Sequence, residues 1–351
     1  MSLMDKLKKN SKMSEANVLS ESRFFTAIES VPTNVPMINV ALSGDVDGGI
    51  TPGLTVLAGP SKHFKTSFAL LMAGAYLNKY DDAVLLFYDT EFGTPKSYFD
   101  IFGIDTDRVL HVAIKDAEEL KFDMVAQLKA LEQDEHVIVI IDSIGNLASK
   151  KETEDALNEK SVADMTRAKS FKSLFRMVTP HLKDKGIPLI AVNHTYKEIG
   201  LFPKDVVSGG TGIYYSADNV WIIGRRQDKV GTEIKGYEFI INVDKSRFVK
   251  EKSKIPISVT WEGGISEYSG LLEVALAGNY MAKPKMGWYC VVDQETGELL
   301  EPNMREKATY DPKLWNKMFE ETDFKEFVRK QFMVGYKPIV HFDPEEEDAG
   351  K

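Results

Sequence analysis

From Leu54 onward the chain alternates between two hydrophobic textures. Leu54–Ala58, Ala83–Tyr88, Val109–Ile114, Val137–Ile141 and Ile187–Val192 are short continuous apolar runs, the pattern of strands buried on both faces. Between them, Thr66–Leu77 and Ala117–Leu131 have helical character, and Glu152–Leu182 carries an apolar stripe at Phe171, Leu174, Phe175, Val178 and Leu182. That three-and-four spacing is one face of an α-helix. Strands alternating with helices predict an α/β fold with a mostly parallel twisted sheet covered by helices on both faces. After Gly212 the texture changes. Asn219–Ile223, Tyr237–Val243 and Ile255–Trp261 read as strands on short polar turns, an antiparallel extension of the same sheet. From Ser269 the pattern gives a helix, then a stretch with no readable period, then a last helix at Pro312–Phe332.

The ends read differently from the middle. Lys6, Lys8, Lys9 and Lys12 make a basic start, and Leu19, Arg23, Phe24 and Ile28 follow at helical spacing. Two such turns form no core alone, so residues 1–30 are expected to be a helical arm that docks on another subunit; a frayed terminus is the alternative. Residues 31–270 are the expected core, and 271–351 a C-terminal α/β region. Asp343–Asp348, with five acids in six residues, is expected to be a solvated tail.

Composition narrows the class. Of 351 residues 43% are apolar and 28% charged, an ordinary globular balance that excludes collagen-like, rod-like and wholly disordered chains. The net charge is −9, against a surface that binds nucleic acid everywhere but not against a local basic groove. Residues 150–185 hold nine Lys/Arg against six Asp/Glu, and residues 224–254 nine against five. Cys290 is the single cysteine, so an intrachain disulfide and a cysteine-based zinc site are excluded. The longest apolar stretch, Phe68–Leu77, is about half a membrane span. The start lacks the apolar core of a signal peptide. The expectation is a cytoplasmic protein with no membrane partner.

The chemistry gathers where strands end. Gly59-Pro60-Ser61-Lys62-His63-Phe64-Lys65-Thr66, followed by Ser67, leaves a strand and opens a helix. It matches the phosphate-loop pattern G-x-x-x-x-G-K-[ST] except at Phe64, which stands where the pattern has Gly. A Cβ there is expected to limit and crowd the loop. Backbone N–H groups of such a loop wrap a β-phosphate, Lys65 would neutralise β/γ oxygens, and the Thr66 hydroxyl would reach Mg²⁺. Asp142 closes an apolar strand at the edge where α/β folds bind ligands, and would hold Mg²⁺ through water. Glu91, closing another run, is the candidate to orient an attacking water. His194, after the fifth run, could sense a γ-phosphate, although a lone His is more often structural.

These residues, in this order, resemble RecA-type strand-exchange recombinases over roughly residues 31 to 300. The segments Val31–Gly44, Leu147–Lys160, Met165–Lys169 and Lys245-Ser246-Arg247 carry the resemblance. The T-even phage branch of that family also has Phe before the loop lysine, as at Phe64. The resemblance implies an ATP-dependent enzyme forming a homo-oligomeric helical filament on single-stranded DNA. It would pair that strand with homologous double-stranded DNA in recombination, repair and recombination-dependent replication. ATP and Mg²⁺ are the implied cofactors, and single-strand-binding and filament-loading proteins the implied helpers. If phage-encoded, it would work in the host cytoplasm. Carried over, Glu91 activates water, His194 senses the γ-phosphate, and Tyr98 stacks on adenine. Lys245 and Arg247 reach the γ-phosphate held by the next subunit. Gly145–Lys160 and Tyr196–Thr211 are the implied DNA loops, the second containing Gly209, Gly210 and Thr211. Arg167 falls at a DNA-contacting position, and Lys150, Lys151 and Arg176 are further candidates.

Two rivals share this core. A hexameric helicase needs an N-terminal loading domain, for which thirty residues are too few. A non-catalytic nucleotide-binding filament protein is disfavoured by Lys65 and Glu91 and mildly favoured by Phe64.

Overall fold

The computed structural model describes residues 2–13, 16–22, 29–158, 166–198, 203, 205–230, 232–261 and 264–335. Helix α1 (Leu3–Asn10), with a capping box at Ser2 and Asp5, buries none of its side chains. Leu19 opens a single 3₁₀ turn, while Arg23, Phe24 and Ile28 lie outside the described residues, as does the acidic tail. Helix α2 (Pro36–Ser43) begins on a proline, whose missing N–H costs nothing in a first turn, and buries Met37, Ile38, Val40 and Leu42.

The parallel strands are β1 (Gly53–Ala58), β2 (Val84–Asp89), β3 (Val109–Ala113), β4 (Val137–Asp142) and β5 (Pro188–Asn193). Between them run α3 (Lys65–Lys79), α4 (Lys96–Ile101), α5 (Ala117–Ala130), α6 (Lys150–Leu157) and α7 (Thr166–Asp184). A small hairpin, β6 (Thr195–Lys197) with β7 (Asp205–Val207), and helix α8 (Thr211–Ser216) lead into β8 (Asn219–Val230). Strands β9 (Glu233–Ser246), β10 (Lys254–Thr260) and β11 (Gly264–Ile265) complete one nine-stranded sheet, ordered β11-β10-β9-β8-β1-β5-β4-β2-β3. Pairings are parallel from β8 to β3 and antiparallel from β8 to β11.

Side chains alternate across a strand, so each apolar run feeds two cores. Val139 and Ile141 of β4 join Leu189, Phe171 and Leu174 on one face. Ile138 and Ile140 join Ile190, Phe68 and Leu70 on the other. That division explains why the runs are continuous: both faces are covered. Strand β3 departs from the expectation of burial. It is the sheet edge, and Leu110 is half exposed.

The C-terminal part packs on the α2 side, where Trp315, Phe324 and Phe332 join the same core as Met37. After α9 (Leu271–Ala277), the stretch without a readable period is a three-stranded antiparallel sheet of β12 (Met281–Lys285), β13 (Trp288–Val292) and β14 (Leu299–Met304). The last helix is two, α10 (Pro312–Glu321) and α11 (Phe324–Phe332). The break falls at Thr322, which turns extended; its hydroxyl donates to Met318 O at 2.6 Å and accepts from Phe324 N at 3.2 Å. Among the described residues no helix is long and apolar enough to cross a membrane.

Candidate functional site

The loop between β1 and α3 turns sharply, with Lys62 at φ 62° and Phe64 at φ 61°. A residue with a Cβ in this left-handed region costs about 1–2 kcal/mol. The Phe64 ring stacks on Phe239 of β9 at 5.2 Å and meets Phe68 edge-on at 5.5 Å. Aromatic pairs of this kind contribute about 0.5–1.5 kcal/mol each, enough to offset the strain. The expected limit on the backbone is seen in that positive φ, while the side chain, which lines the cleft, packs on Phe239 and clamps the loop to β9.

The cleft beside the loop has a volume of about 720 Å³ and is lined by Ser61 through Ser67 together with Glu91, Tyr98, Asp142 and His194. Lys65 is buried, and its ammonium donates to Pro60 O at 2.8 Å. Burial lowers its pKa, against the opposing pull of Asp142 and Glu91. Thr66 Oγ1 donates to Asp142 Oδ2 at 2.7 Å. Burial raises the Asp142 carboxyl to about 6; the Thr66 hydrogen bond opposes this, and Glu91 and Asp89 add to it. Glu91 Oε1 accepts from Ser143 Oγ at 2.6 Å and Asn146 Nδ2 at 3.0 Å, and lies 3.3 Å from His194 Nε2. Tyr98, on α4, faces the same cleft and is partly exposed.

Several positioning groups escaped the sequence reading. Asp89 Oδ1 accepts the N–H groups of Glu91 and Phe92, which fixes the turn that presents Glu91. Thr90 and Ser143 bond reciprocally, tying the ends of β2 and β4 together. Buried Asn193 accepts from His194 N and donates to Ser208 O, which anchors both ends of the following segment. Gly145 is needed because a Cβ there would stand 2.2 Å from the His194 ring. Tyr237, Trp261 and Arg225 form the far wall of the cleft, with the Arg225 guanidinium 4.4 Å over the Tyr237 ring. A polar residue closing an apolar strand was the available signal for Asn193. Trp261 closing β10 was a weaker one.

The donor set fits a magnesium–nucleotide pair. Thr66 and Asp142 hold two oxygens side by side at the cleft floor, next to a buried lysine. Among the described residues no group of three or more His, Cys, Asp and Glu could hold a metal ion. An ion here must take its other oxygens from phosphates and water, as Mg²⁺ commonly does.

The DNA candidates separate into two kinds. Lys150 and Lys151 stand on α6, within the first implied loop, and Arg176 stands on α7; all three are exposed. Gly209 and Gly210, both at positive φ, precede Thr211 at the start of α8. Arg167 is turned inward instead. Its guanidinium donates to the carbonyls of Leu147, Ile144 and Gly145 at 2.6, 2.9 and 2.6 Å and lies over the Phe171 ring. Burial lowers its pKa. It fastens the first loop, and every bond in that set is internal.

Lys245 and Arg247 are not brought to the cleft. β9 runs antiparallel to β8 and β8 parallel to β1, so Ser246 lies opposite Asn219, which pairs with Thr55. Arg247 N donates to Asp218 O, and Leu54 N to the Asp218 carboxylate. Arg247 thus sits level with Leu54, about 13 Å along the strand from Ala58, where the loop departs.

The RecA N-terminal domain family matches residues 3–266, and the C-terminal domain family of the bacteriophage T4 recombination and repair protein matches residues 268–328. The chain is similar to the recombination and repair protein of Enterobacteria phage T4, with 51% identity over 90% of this chain and 82% of that protein. It is also similar to RecA of Streptomyces rimosus, at 25% identity over 89% of this chain and 79% of the relative. The mitochondrial DNA repair RecA homologue of Dictyostelium discoideum is 25% identical over 93% and 69%. With its site at the carboxyl ends of the parallel strands and a family match spanning most of its length, the chain belongs to the RecA family of recombination and repair proteins.

Proposed function

We propose that this protein binds ATP and Mg²⁺ in the cleft at the phosphate loop and hydrolyses ATP within a helical filament on single-stranded DNA. In that state it pairs the strand with homologous duplex DNA and exchanges strands. The observation that supports this best is the convergence of Lys65, Thr66, Asp142 and Glu91, from three places in the chain, on one cleft. Lys65 offsets phosphate charge. Thr66 and Asp142 hold Mg²⁺, which draws charge off the transferring phosphoryl group when bound. Glu91, held by Ser143 and Asn146, orients the attacking water, and His194 beside it reads the γ-phosphate. Tyr98 and the opposite Tyr237–Trp261 wall flank the nucleobase.

Lys245 and Arg247, too far from their own loop, serve the nucleotide of the next subunit. Residues 1–30 are the arm that contacts that subunit. Residues 31–270 carry the nucleotide and DNA sites, and residues 271–351 form an appended region. Lys150, Lys151, Arg176 and the Gly209–Thr211 turn meet DNA phosphates, with Arg167 holding the first loop in place. Base pairing rather than the protein selects the homologous partner. Single-strand-binding and loading proteins assist assembly.

The deciding experiment measures ATP hydrolysis with and without single-stranded DNA, beside strand exchange between homologous substrates. Hydrolysis stimulated by single strands, with exchange, is expected. Duplex unwinding without exchange would mean a helicase, and binding without turnover a passive filament protein.

A further inference from the structure

Asp218 stands just before β8 and is 2% exposed. Its Oδ2 accepts the Leu54 N–H at 3.1 Å and lies 2.9 Å from Lys183 Nζ. Its Oδ1 lies 2.6 Å from Arg247 Nε. Lys183, at the end of α7, also donates to Pro52 O at 2.7 Å. Gly53, at φ 116°, makes the room: a Cβ there would stand 2.0 Å from Asp218 Oδ2 and 2.4 Å from Lys183 Nζ.

The arrangement has two consequences. A guanidinium is a rigid planar fork, so an ion pair at Nε tethers its near end to Asp218 and limits the directions that its two Nη groups can take. The Arg247 side chain is 65% exposed, and no described residue takes an Nη group. A lone aspartate would also cancel the arginine's charge. Lys183 on the same carboxylate leaves the cluster with one net positive charge.

We infer that Asp218 and Lys183 are positioning residues for Arg247: Asp218 orients the guanidinium toward an anion held by the neighbouring subunit, and Lys183 preserves its charge. The inference rests on the reading that Arg247 acts on the next subunit's nucleotide.

The test uses the full chain on single-stranded DNA, with Asp218→Asn and Lys183→Met. A misdirected group costs about 10- to 100-fold in turnover. That loss in kcat is expected for both variants, with KM for ATP within about two-fold, because neither touches the loop that binds ATP. Lys183→Arg should recover most of the loss. Mixed with Glu91→Gln protein, each variant should regain turnover, since one interface type then joins an intact Glu91 to an intact Arg247 cluster. Unchanged kcat in Lys183→Met, which sits near the surface and decides the matter if Asp218→Asn fails to fold, overturns the inference. So does failure of either mixture under conditions in which Arg247→Ala is rescued by Glu91→Gln. If Arg247→Ala is itself not rescued, the reading of an action between subunits falls, and this inference with it.

Discussion

At the carboxyl end of β1, Lys65, Thr66, Glu91, Asp142 and His194 crowd into one cleft, with Lys65 and Asp142 nearly out of solvent. At the opposite end of the same sheet, Arg247 stands on the surface and Lys245 is half-buried. In the first group Thr66 bonds to Asp142 and Glu91 contacts His194, with Ser143, Asn146 and the Pro60 carbonyl completing the set. The second is held from behind, Arg247 by Asp218 and Lys245 by the carbonyls of Tyr214 and Tyr215. Burying charge is expensive without a partner, and the cleft already bears part of that cost, as the raised Asp142 pKa shows. At the far end the Arg247 guanidinium stays mostly in solvent, while Asp218 beneath it is buried. On the reading proposed above, the two ends are halves of one site that meet between subunits.

The comparison breaks most cleanly at its charged members. Lys65→Ala should abolish ATP binding and turnover together. Arg247→Ala should leave binding intact and lower turnover by about 10³-fold, the usual scale for an arginine acting on a transferring phosphoryl. Equilibrium binding of a fluorescent ATP analogue beside steady-state hydrolysis separates the two; equal loss of binding in both variants would merge the two ends into one site. Next in size is the arm. Deleting residues 1–30 should leave a folded subunit that forms no long filaments, scored by electron microscopy; α1, which buries no side chain in its own subunit, is consistent with an external partner.

Asp142→Asn sharpens the contrast through stability. The Asp142 carboxyl is raised from 3.8 to about 6 in the folded chain, so the native state favours its protonated form. Its charge therefore costs stability at neutral pH, about 3 kcal/mol for two units, and costs nothing below pH ~4, where both states are protonated. In metal-free buffer the variant should melt above the parent at pH 7.5, with the gain fading as pH falls through 6 toward 4, while turnover is lost. A lower Tm at pH 7.5 would show that the Thr66 hydrogen bond outweighs the burial. The smallest effect is expected at Phe64→Gly. It relieves the positive φ but removes the stack on Phe239, so the terms nearly cancel. KM for ATP should rise a few-fold at most, and a rise of the same size in Phe239→Leu would identify the clamp.

Four of the five parallel strands were legible because each is a continuous apolar run covered on both faces; β3 was legible from its apolar run although it is the exposed sheet edge. Lys65 and Thr66 were legible because they open a helix, Asp142 because it ends a strand, and Glu91 because it follows a strand by two residues. Ser143, Asn146 and Asn193 were not. A hydroxyl or amide next to a strand end is common, and only the folded geometry shows it aimed at Glu91 or at Ser208. The small β12–β14 sheet was missed because its strands lie mostly on the surface and carry prolines at Pro284 and Pro302, which blur the period. The split at Thr322 was missed because apolar residues recur on both sides of it; the step of six from Met318 to Phe324, which breaks the three-and-four spacing, was the signal.

Arg167 and Arg247 divide most sharply between sequence and structure. The sequence alone determined that both are cations in basic stretches, outside the apolar runs, and that the chain carries a phosphate-loop pattern with carboxylates after its strands. Only the tertiary structure decided that Arg167 spends its hydrogen bonds on the carbonyls of Ile144, Gly145 and Leu147, while Arg247 faces outward from the sheet end opposite its own loop. Local sequence sets which groups are present and the period in which they recur. Strand order and direction set which end of the sheet each group reaches, and those depend on pairings between residues far apart in the chain.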